Sequence, residues 1–336
     1  LNSLILFTFI APITYMLWRF ANFSRSISSF FQSWNVFGLL FNTVSVFFAV
    51  VLTSVLVGLL ISIVTVRFEF KGSKILFTLC ALPLVIPSYI GALTYISAFS
   101  PKGLFVQIFN RYGIEERSGL VGCVGSRIVL TLFTYPYVQL ICSSALRNLD
   151  STVEDAARSL GVSQFKVYTN VVIPRLKKPI VYSSLLVGLY VISDFGAVSL
   201  MRYSTVTKAI YAYYELSILS DPVIFYSSLL IVLALLISFI QRGSATSRSA
   251  KVSGTPRIPK KIRLERNGKV LVYSFLGVII FLGLLIPVTV LSFWLFRGLY
   301  YGTDVTTSIP GILGSFSASI VTSILAIVIS MPIVIL

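Results

Sequence analysis

One charged stretch, 147–178, separates two long apolar runs and carries the most distinctive residue pattern in the chain. Within it, Asp155-Ala156-Ala157 is followed after three residues by Gly161, and Pro174 comes later in the same stretch. Two adjacent methyl side chains let the backbone of another protein come close, and the carboxylate beside them adds charge at the rim. The pattern therefore favours a docking contact over bond-making chemistry.

Local signals in this stretch predict two short helices. Ser151 and Glu154 have the spacing of a capping box, in which each side chain satisfies a free amide at the start of a helix. Gly161 is expected to supply the left-handed residue that ends the first helix, and Pro174 to stop the second. The predicted helices cover 152–160 and 164–172.

The residues needed for catalysis are missing from the sequence. No histidine occurs anywhere, which removes the commonest general base and the commonest transition-metal ligand. Neither paired carboxylates nor a nucleophile motif lies in the apolar runs, and no G-x-x-x-x-G-K-[ST] string occurs that would hold a nucleotide. We expect no enzyme activity, no cofactor and no metal site in this chain.

Apolar runs account for most of the remaining sequence. Only 11% of the residues are charged and 56% are apolar, whereas roughly 25% are charged in soluble domains. Runs of this length predict membrane-spanning helices, and they lack the alternation of barrel strands. The sequence predicts an all-α, polytopic transmembrane helical bundle with about eight spans, over 4–18, 41–66, 75–99, 120–146, 179–201, 223–241, 270–296 and 311–336.

Basic residues concentrate on one set of loops. The loops 67–74, 147–178 and 242–269 contain 18 Lys and Arg in 68 residues, against 8 in the 67 residues of the other loops. By the positive-inside rule, the first set and the N-terminus face the cytoplasm. The net charge of +16 therefore indicates contact with membrane lipid and not with nucleic acid.

A few polar residues and prolines inside the predicted spans are candidates for the transport path. Asp194 is the only acid within a span and Arg127 the only base, so the two are candidates for an ion pair. Asp194 either lies on the path or caps a broken helix before Gly196. Pro83 and Pro87 are expected to kink their span, which either opens a cavity or only shapes the packing.

The domain organisation follows from one interruption of the apolar pattern. Residues 242–269 contain nine basic residues against one acid and predict a cytoplasmic linker. After it, Pro287-Val288-Thr289 repeats Pro12-Ile13-Thr14, and the following runs have matching spacing. We expect a first half with six spans over 1–241 and the first two spans of a second, C-terminally truncated half over 270–336; chance similarity of apolar segments is the alternative.

The charged stretch resembles the "EAA" loop of permease subunits from binding-protein-dependent ATP-driven importers. That loop reads Glu-Ala-Ala, three residues, Gly, nine residues, Ile, one residue, Leu-Pro. This chain has Asp155-Ala156-Ala157, Gly161, Val171 and Ile173-Pro174 at those positions, with Glu154 as a neighbouring Glu. The resemblance implies a type I ABC importer permease fold, whose 150–175 loop docks on a separate ATPase dimer through Glu154, Asp155, Ala156, Ala157, Gly161 and Pro174.

A narrower resemblance points to ferric-iron permeases, which are fused proteins with two such halves. It rests on Leu82-Pro83, Ile86-Pro87, Tyr135-Pro136-Tyr137 and Ser193-Asp194-Phe195-Gly196. It implies a multi-pass protein of the bacterial inner membrane that passes ferric iron from a periplasmic binding protein to the cytoplasm. The alternatives are the same machinery for thiamine or another small solute, and an ion-coupled secondary transporter. The last would need more ionisable groups in its spans than Asp194 and Arg127.

Overall fold

The computed structural model describes most of the chain. The described residues are 10–11, 13–16, 18–20, 22, 35–100, 103–105, 120–149, 152–216, 221–245, 261–302 and 306–335. The predicted span 4–18 lies largely outside them, and its described residues are helical.

The described residues form a helical bundle. In chain order the elements are α1 (Val36–Arg67), β1 (Phe68–Glu69), α2 (Ser73–Ala81), a 3-10 turn (Leu82–Val85), α3 (Ser88–Phe99), α4 (Gly122–Arg147), α5 (Thr152–Ser159), α6 (Gln164–Val167), a π turn (Tyr168–Val172), α7 (Ile173–Arg175), α8 (Lys177–Ser193), α9 (Gly196–Leu200), α10 (Val206–Leu216), α11 (Asp221–Ala245), β2 (Ile262–Arg263), α12 (Arg266–Ile280), a second π turn (Phe281–Leu285), α13 (Ile286–Tyr300), a 3-10 turn (Thr306–Ser308) and α14 (Ile309–Ile335).

The helical transmembrane architecture predicted from the sequence is confirmed. Among the described residues, five helices are long and apolar enough to cross a membrane, or up to seven if each of two bent pairs counts as one crossing. One bend of 96° separates 73–85 from α3 and lies at Pro83 and Pro87, where a kink was predicted. The other bend, of 60°, separates Tyr168–Arg175 from α8.

Helices α1 and α4 form the centre of the bundle. A Cβ atom on Gly58 would lie 2.7 Å from the Tyr135 carbonyl oxygen, so only glycine allows the two backbones to approach this closely. Beside it, the buried hydroxyls of Ser54 and Thr134 are hydrogen-bonded at 2.9 Å. This packing fixes α1 against α4, and α1 extends over 32 residues to Arg67.

The described parts of the three basic loops lie at the same end of the bundle. Arg67 contacts Glu154, and β1 pairs in parallel with β2, with Phe68 opposite Ile262. Two described parts of the segment 242–269 have regular structure: α11 runs to Ala245, and β2 pairs with β1. Residues 246–260 of that segment lie outside the described residues.

Candidate functional site

Helix α5 and the glycine after it have the predicted local structure. Gly161 has a φ of 79°, in the left-handed region that suits glycine. The N–H groups of Gly161 and Val162 donate to the carbonyls of Arg158 (2.9 Å) and Ala157 (3.2 Å). These bonds satisfy carbonyls that the end of the helix leaves free. The predicted cap at Gly161 is therefore confirmed, and α5 ends at Ser159, one residue before its predicted end.

Pro174 does not stop the second helix, contrary to the prediction. The chain winds on from α6 through the π turn and α7 to Arg175, and the break comes at Leu176. In the π turn the Ile173 N–H donates to the Tyr168 carbonyl, five residues earlier. The wider turn accommodates Pro174 near the start of the next helical segment. At that position an N–H group is not needed for the hydrogen bonds of the helix, so proline costs little.

The outer face of α5 is open to a partner. Asp155, Ala156 and Gly161 are exposed, and Ala157 is half-buried. Leu160 is 83% exposed, a large value for an apolar side chain beside two alanines. An ideal Cβ on Gly161 would meet no atom within 4 Å. The face thus combines small residues, one apolar side chain and one carboxylate, as the docking interpretation requires.

Glu154 lies on the opposite, inner face and is buried. Its carboxylate Oε1 accepts a hydrogen bond from Nη2 of Arg67 at 2.7 Å, and both side chains are 2% exposed. Arg158, one turn along α5, lies 4.0 Å from the other carboxylate oxygen. The predicted capping partner Ser151 lies outside the described residues. In the structure, the Glu154 side chain fastens α5 to the last residue of α1.

The electrostatics of this joint combine a desolvation cost with charge pairing. Burial raises the pKa of the Glu154 carboxyl above its ordinary value, and the guanidinium groups of Arg67 and Arg158 offset part of that rise. Nε and Nη1 of Arg67 are buried and have no hydrogen-bond partner among the residues that the structure describes. A buried arginine in this state depends on its single carboxylate, since an uncompensated charge here would be strongly unfavourable.

Apolar and aromatic contacts hold the rest of the loop against the bundle. The ring of Phe68, next to Arg67, stacks on Tyr168 with centroids 6.4 Å apart and planes at 28°. Val172 and Leu176 are buried in one cluster with Leu146 at the end of α4. The whole segment from α5 to α8 is therefore seated on the ends of α1 and α4.

Sequence reasoning missed Arg67 as a functional residue. It counted only as one of the basic residues of the loop 67–74, because 87 residues separate it from Glu154. One signal was present: Arg67 ends a long apolar run, where a basic residue is favoured by the helix dipole. The place of Arg67 at the end of an apolar run does not indicate which acidic side chain it will contact.

Asp194 links two breaks between helices, one of which contains the predicted residue Pro87. Asp194 follows α8, is 9% exposed, and its Oδ1 accepts from the Ala197 N–H at 2.9 Å, which caps α9. The Ser88 hydroxyl, one residue after Pro87, donates to the other carboxylate oxygen. Asp194 thereby connects the break after α8 to the break before α3. Pro83, four residues before Pro87, is buried in the 3-10 turn.

Further contacts surround Asp194. The Thr207 hydroxyl donates to its backbone carbonyl at 3.0 Å, and a Cβ on Gly196 would lie 2.6 Å from Tyr89 Cβ. Arg127 does not pair with Asp194; its Nη2 donates to the Ser45 hydroxyl at 2.5 Å.

Among the described residues, no group of three His, Cys, Asp or Glu side chains is placed to hold a metal ion.

Comparison with known sequences identifies the family. A family model described as "binding-protein-dependent transport system inner membrane component" matches residues 54–247, more than half of the chain. The Fe(3+)-transport system permease protein FbpB 2 of Haemophilus influenzae is 27% identical over 96% of this chain. The sulfate transport system permease protein CysT of Escherichia coli is 27% identical over 42%. This chain spans 61% of the first relative's length and 50% of the second's.

Solved structures show the same fold. A bacterial alginate ABC transporter, crystallised in complex with an alginate pentasaccharide-bound periplasmic protein, matches with a TM-score of 0.61 at 15% identity, covering 73% of this chain and 91% of that one. A second structure, of an ABC transporter involved in the import of alginate, matches with a TM-score of 0.58 at 16% identity. With its apolar helices, the molecule is a multi-pass inner-membrane protein, and the chain belongs to the family of binding-protein-dependent transport system inner membrane components.

Proposed function

We propose that this chain is the membrane-spanning permease part of an ATP-driven importer and that its cargo is ferric iron. The observation that carries the proposal is the buried Arg67–Glu154 pair, which joins an exposed docking face on α5 to a helix that spans the bundle. The chain itself makes and breaks no bonds. ATP hydrolysis belongs to a partner dimer, and an extracytoplasmic binding protein delivers the solute.

The coupling step follows from the two faces of α5. Asp155, Ala156 and Ala157 meet a groove of the ATPase, and Gly161 ends the helix so that the chain turns back to the bundle. Glu154 passes the displacement of α5 to Arg67, and hence to α1. Pro174 lies in the helical segment that carries the same displacement towards α8. Closure of the ATPase dimer then rocks the spans between inward-open and outward-open states.

The proposal includes an orientation in the membrane and a domain plan. The end of the bundle that holds α5, β1 and β2 faces the cytoplasm, together with the N-terminus, since that end carries the excess of basic residues. Residues 1–241 are one permease half and 242–269 the linker. A second half begins at 270. The FbpB 2 relative, of which this chain spans 61%, is long enough for such a plan.

The path for the solute lies at the breaks of the bundle. Pro83 and Pro87 lie at the bend before α3, and Asp194 lies in the gap between α8 and α9. We assign them the role of shaping the cavity through the backbone, because both carboxylate oxygens of Asp194 already accept hydrogen bonds from the chain. Irregular backbone at membrane depth is stable only where protein or water surrounds it.

The docking face is tested by Ala156→Arg in the full chain co-expressed with its ATPase. A guanidinium at this exposed position leaves the bundle intact but excludes the partner backbone, so the copurified ATPase should fall at least about tenfold. Ala212→Arg is the matched control, since Ala212 is an exposed alanine of α10, far along the chain from α5. Equal ATPase recovery from both variants would reject the coupling assignment.

The cargo is tested separately in proteoliposomes that contain the full transporter and its binding protein. ATP-dependent uptake of ferric iron, with no uptake of sulfate or thiamine, is the expected result. Sulfate uptake would show instead that the cargo is sulfate, the solute in the name of the CysT relative. Uptake driven by a proton or sodium gradient without ATP would favour an ion-coupled transporter.

A further inference from the structure

A cavity of about 560 Å³ lies where α3 ends, α4 begins and the chain turns after α9. It is at the opposite end of the bundle from α5. Helix α4 runs for 26 residues from this cavity to the loop of α5, about 39 Å at 1.5 Å per residue. A volume of this size is typical of sites for small molecules.

The cavity has apolar walls and three polar side chains, those of Arg202, Ser100 and Ser199. Within the part of the chain that the structure describes, none of these three side chains makes a hydrogen bond, and Arg202 belongs to none of the ion pairs. No acid is among the described lining residues. The cavity therefore offers unused donors around one positive charge, which suits an anion and not a cation.

Arg202 has an unusual backbone conformation for its residue type. Its φ is 57°, in the left-handed region, and it is the only described residue other than glycine with a positive φ. The remaining described residues at positive φ are Gly72, Gly122, Gly161 and Gly302. A bulky L-residue is strained in this region, whereas glycine is not.

The turn at Arg202 is the same helix cap that Gly161 forms after α5. The Arg202 N–H donates to the Ser199 carbonyl at 3.0 Å, and the Tyr203 N–H donates to the Val198 carbonyl at 2.9 Å. Glycine is the usual residue at this position of the cap. An arginine here is less favourable for the fold, so the conformation indicates a use for its side chain.

Neighbouring contacts hold this turn in place. The Gly122 N–H, at the start of α4, donates to the carbonyl of buried Met201. The Tyr203 hydroxyl donates to Oδ1 of Asn42 on α1 at 3.1 Å. Asp194 caps the other end of α9 through the Ala197 N–H. The cavity and the position of Arg202 are therefore set by the fold before any ligand binds.

We propose that this cavity binds a small oxyanion such as sulfate or phosphate. The planar guanidinium of Arg202 presents paired N–H donors that match two oxygens of such an anion, and the hydroxyls of Ser100 and Ser199 supply further donors. Because the cavity lies at the ends of three helices, the anion enters without crossing the hydrocarbon core. Binding does not depend on which solute is transported, and it needs neither the ATPase nor the binding protein.

The charge requirement is tested by titration calorimetry on the full chain in detergent, with sulfate, phosphate and chloride at constant ionic strength. The wild type should bind the two oxyanions in preference to chloride. Arg202→Gly should weaken oxyanion binding at least about tenfold and keep or raise the melting temperature, because glycine removes the strain at positive φ. Lys208→Gln, which removes one charge from the neighbouring α10, should change neither quantity.

Two further variants separate the side chains from the backbone. Arg202→Gln keeps a strained residue in the turn but removes the charge, and it should lose oxyanion binding as Arg202→Gly does. Ser100→Ala combined with Ser199→Ala should weaken binding roughly fivefold.

Three results would overturn the proposal. The first is that the wild type binds chloride as well as sulfate and phosphate, or binds no oxyanion at millimolar concentration. The second is that Arg202→Gly and Arg202→Gln bind as the wild type does. The third is that native mass spectrometry finds phosphatidylglycerol retained through Arg202 while free oxyanions do not bind, which would assign the cavity to a lipid headgroup.

Discussion

Two buried carboxylates hold the bundle at different places, and they are stabilised in different ways. Glu154, in the loop outside the spans, faces a guanidinium at 2.7 Å. Asp194, between α8 and α9, accepts instead from the hydroxyl of Ser88 and the backbone N–H of Ala197. The first joint connects two elements that are far apart in sequence through opposite charges. The second caps a local break with two neutral donors.

Under the proposed function, this difference separates a joint that passes motion from α5 to α1 from one that maintains the shape of the bundle. A buried ion pair is costly to desolvate and fails sharply when one partner is removed. A carboxylate bound by a hydroxyl and an amide loses only part of its bonding when its charge is removed, because a neutral acceptor replaces it. The structure therefore predicts that charge matters at Glu154 and that the acceptor oxygen matters at Asp194.

The largest effect is expected from Arg67→Gln. This change leaves the Glu154 carboxylate buried without its closest cation, which should lower the free energy of unfolding by about 3–5 kcal/mol. Thermal unfolding in detergent measures the change. Arg67→Leu combined with Glu154→Leu should recover most of the loss, because no unpaired charge remains buried.

Arg263→Gln is the control for this comparison. Arg263 also contacts a glutamate, at 3.5 Å, but its side chain is 90% exposed. Removal of such a surface pair costs about 0–1 kcal/mol. Equal losses in the free energy of unfolding from Arg67→Gln and Arg263→Gln would show that the buried Arg67–Glu154 pair stabilises the protein no more than an exposed pair does.

A smaller effect is expected at Asp194. Asp194→Ala removes the acceptor for the Ala197 N–H and should cost about 1–2 kcal/mol, the range for loss of a helix cap. Asp194→Asn keeps an acceptor oxygen and should retain most of the stability and the transport rate. Unfolding curves and uptake measured on the same preparations make the comparison. If Asp194→Asn transports as poorly as Asp194→Ala while remaining stable, the negative charge itself acts on the solute.

The features predicted correctly from the sequence are those set by neighbouring residues. Gly161 ends α5 because an L-residue is strained at positive φ, and that preference depends only on the local chain. Pro83 and Pro87 bend their crossing for an equally local reason. The spans followed from long apolar runs, since a bilayer of fixed thickness requires helices of fixed length.

The features that the sequence did not predict depend on contacts between distant residues. Glu154 has the spacing of a capping box, yet its carboxylate accepts from Arg67 because the fold brings the end of α1 beneath α5. Pro174 was expected to end a helix, but a π turn before it accommodates its ring. The strand β2 within the basic segment is held by β1 from another loop, and its own residues carry no strong strand signal.

A local effect is expected from Gly161→Ala, which separates the folding of α5 from its attachment to α1. A Cβ at this position meets no atom within 4 Å, so the cost is purely that of the left-handed φ of 79°, about 1 kcal/mol. Because α5 is a short surface helix, the loss should appear as faster hydrogen exchange at the amides of Leu160, Gly161 and Val162 and leave the global melting temperature nearly unchanged. Gly161→Asn should exchange more slowly than Gly161→Ala, since asparagine tolerates this conformation better. A global loss of stability with Gly161→Ala would mean instead that the helix cap and the Arg67–Glu154 joint form one cooperative unit.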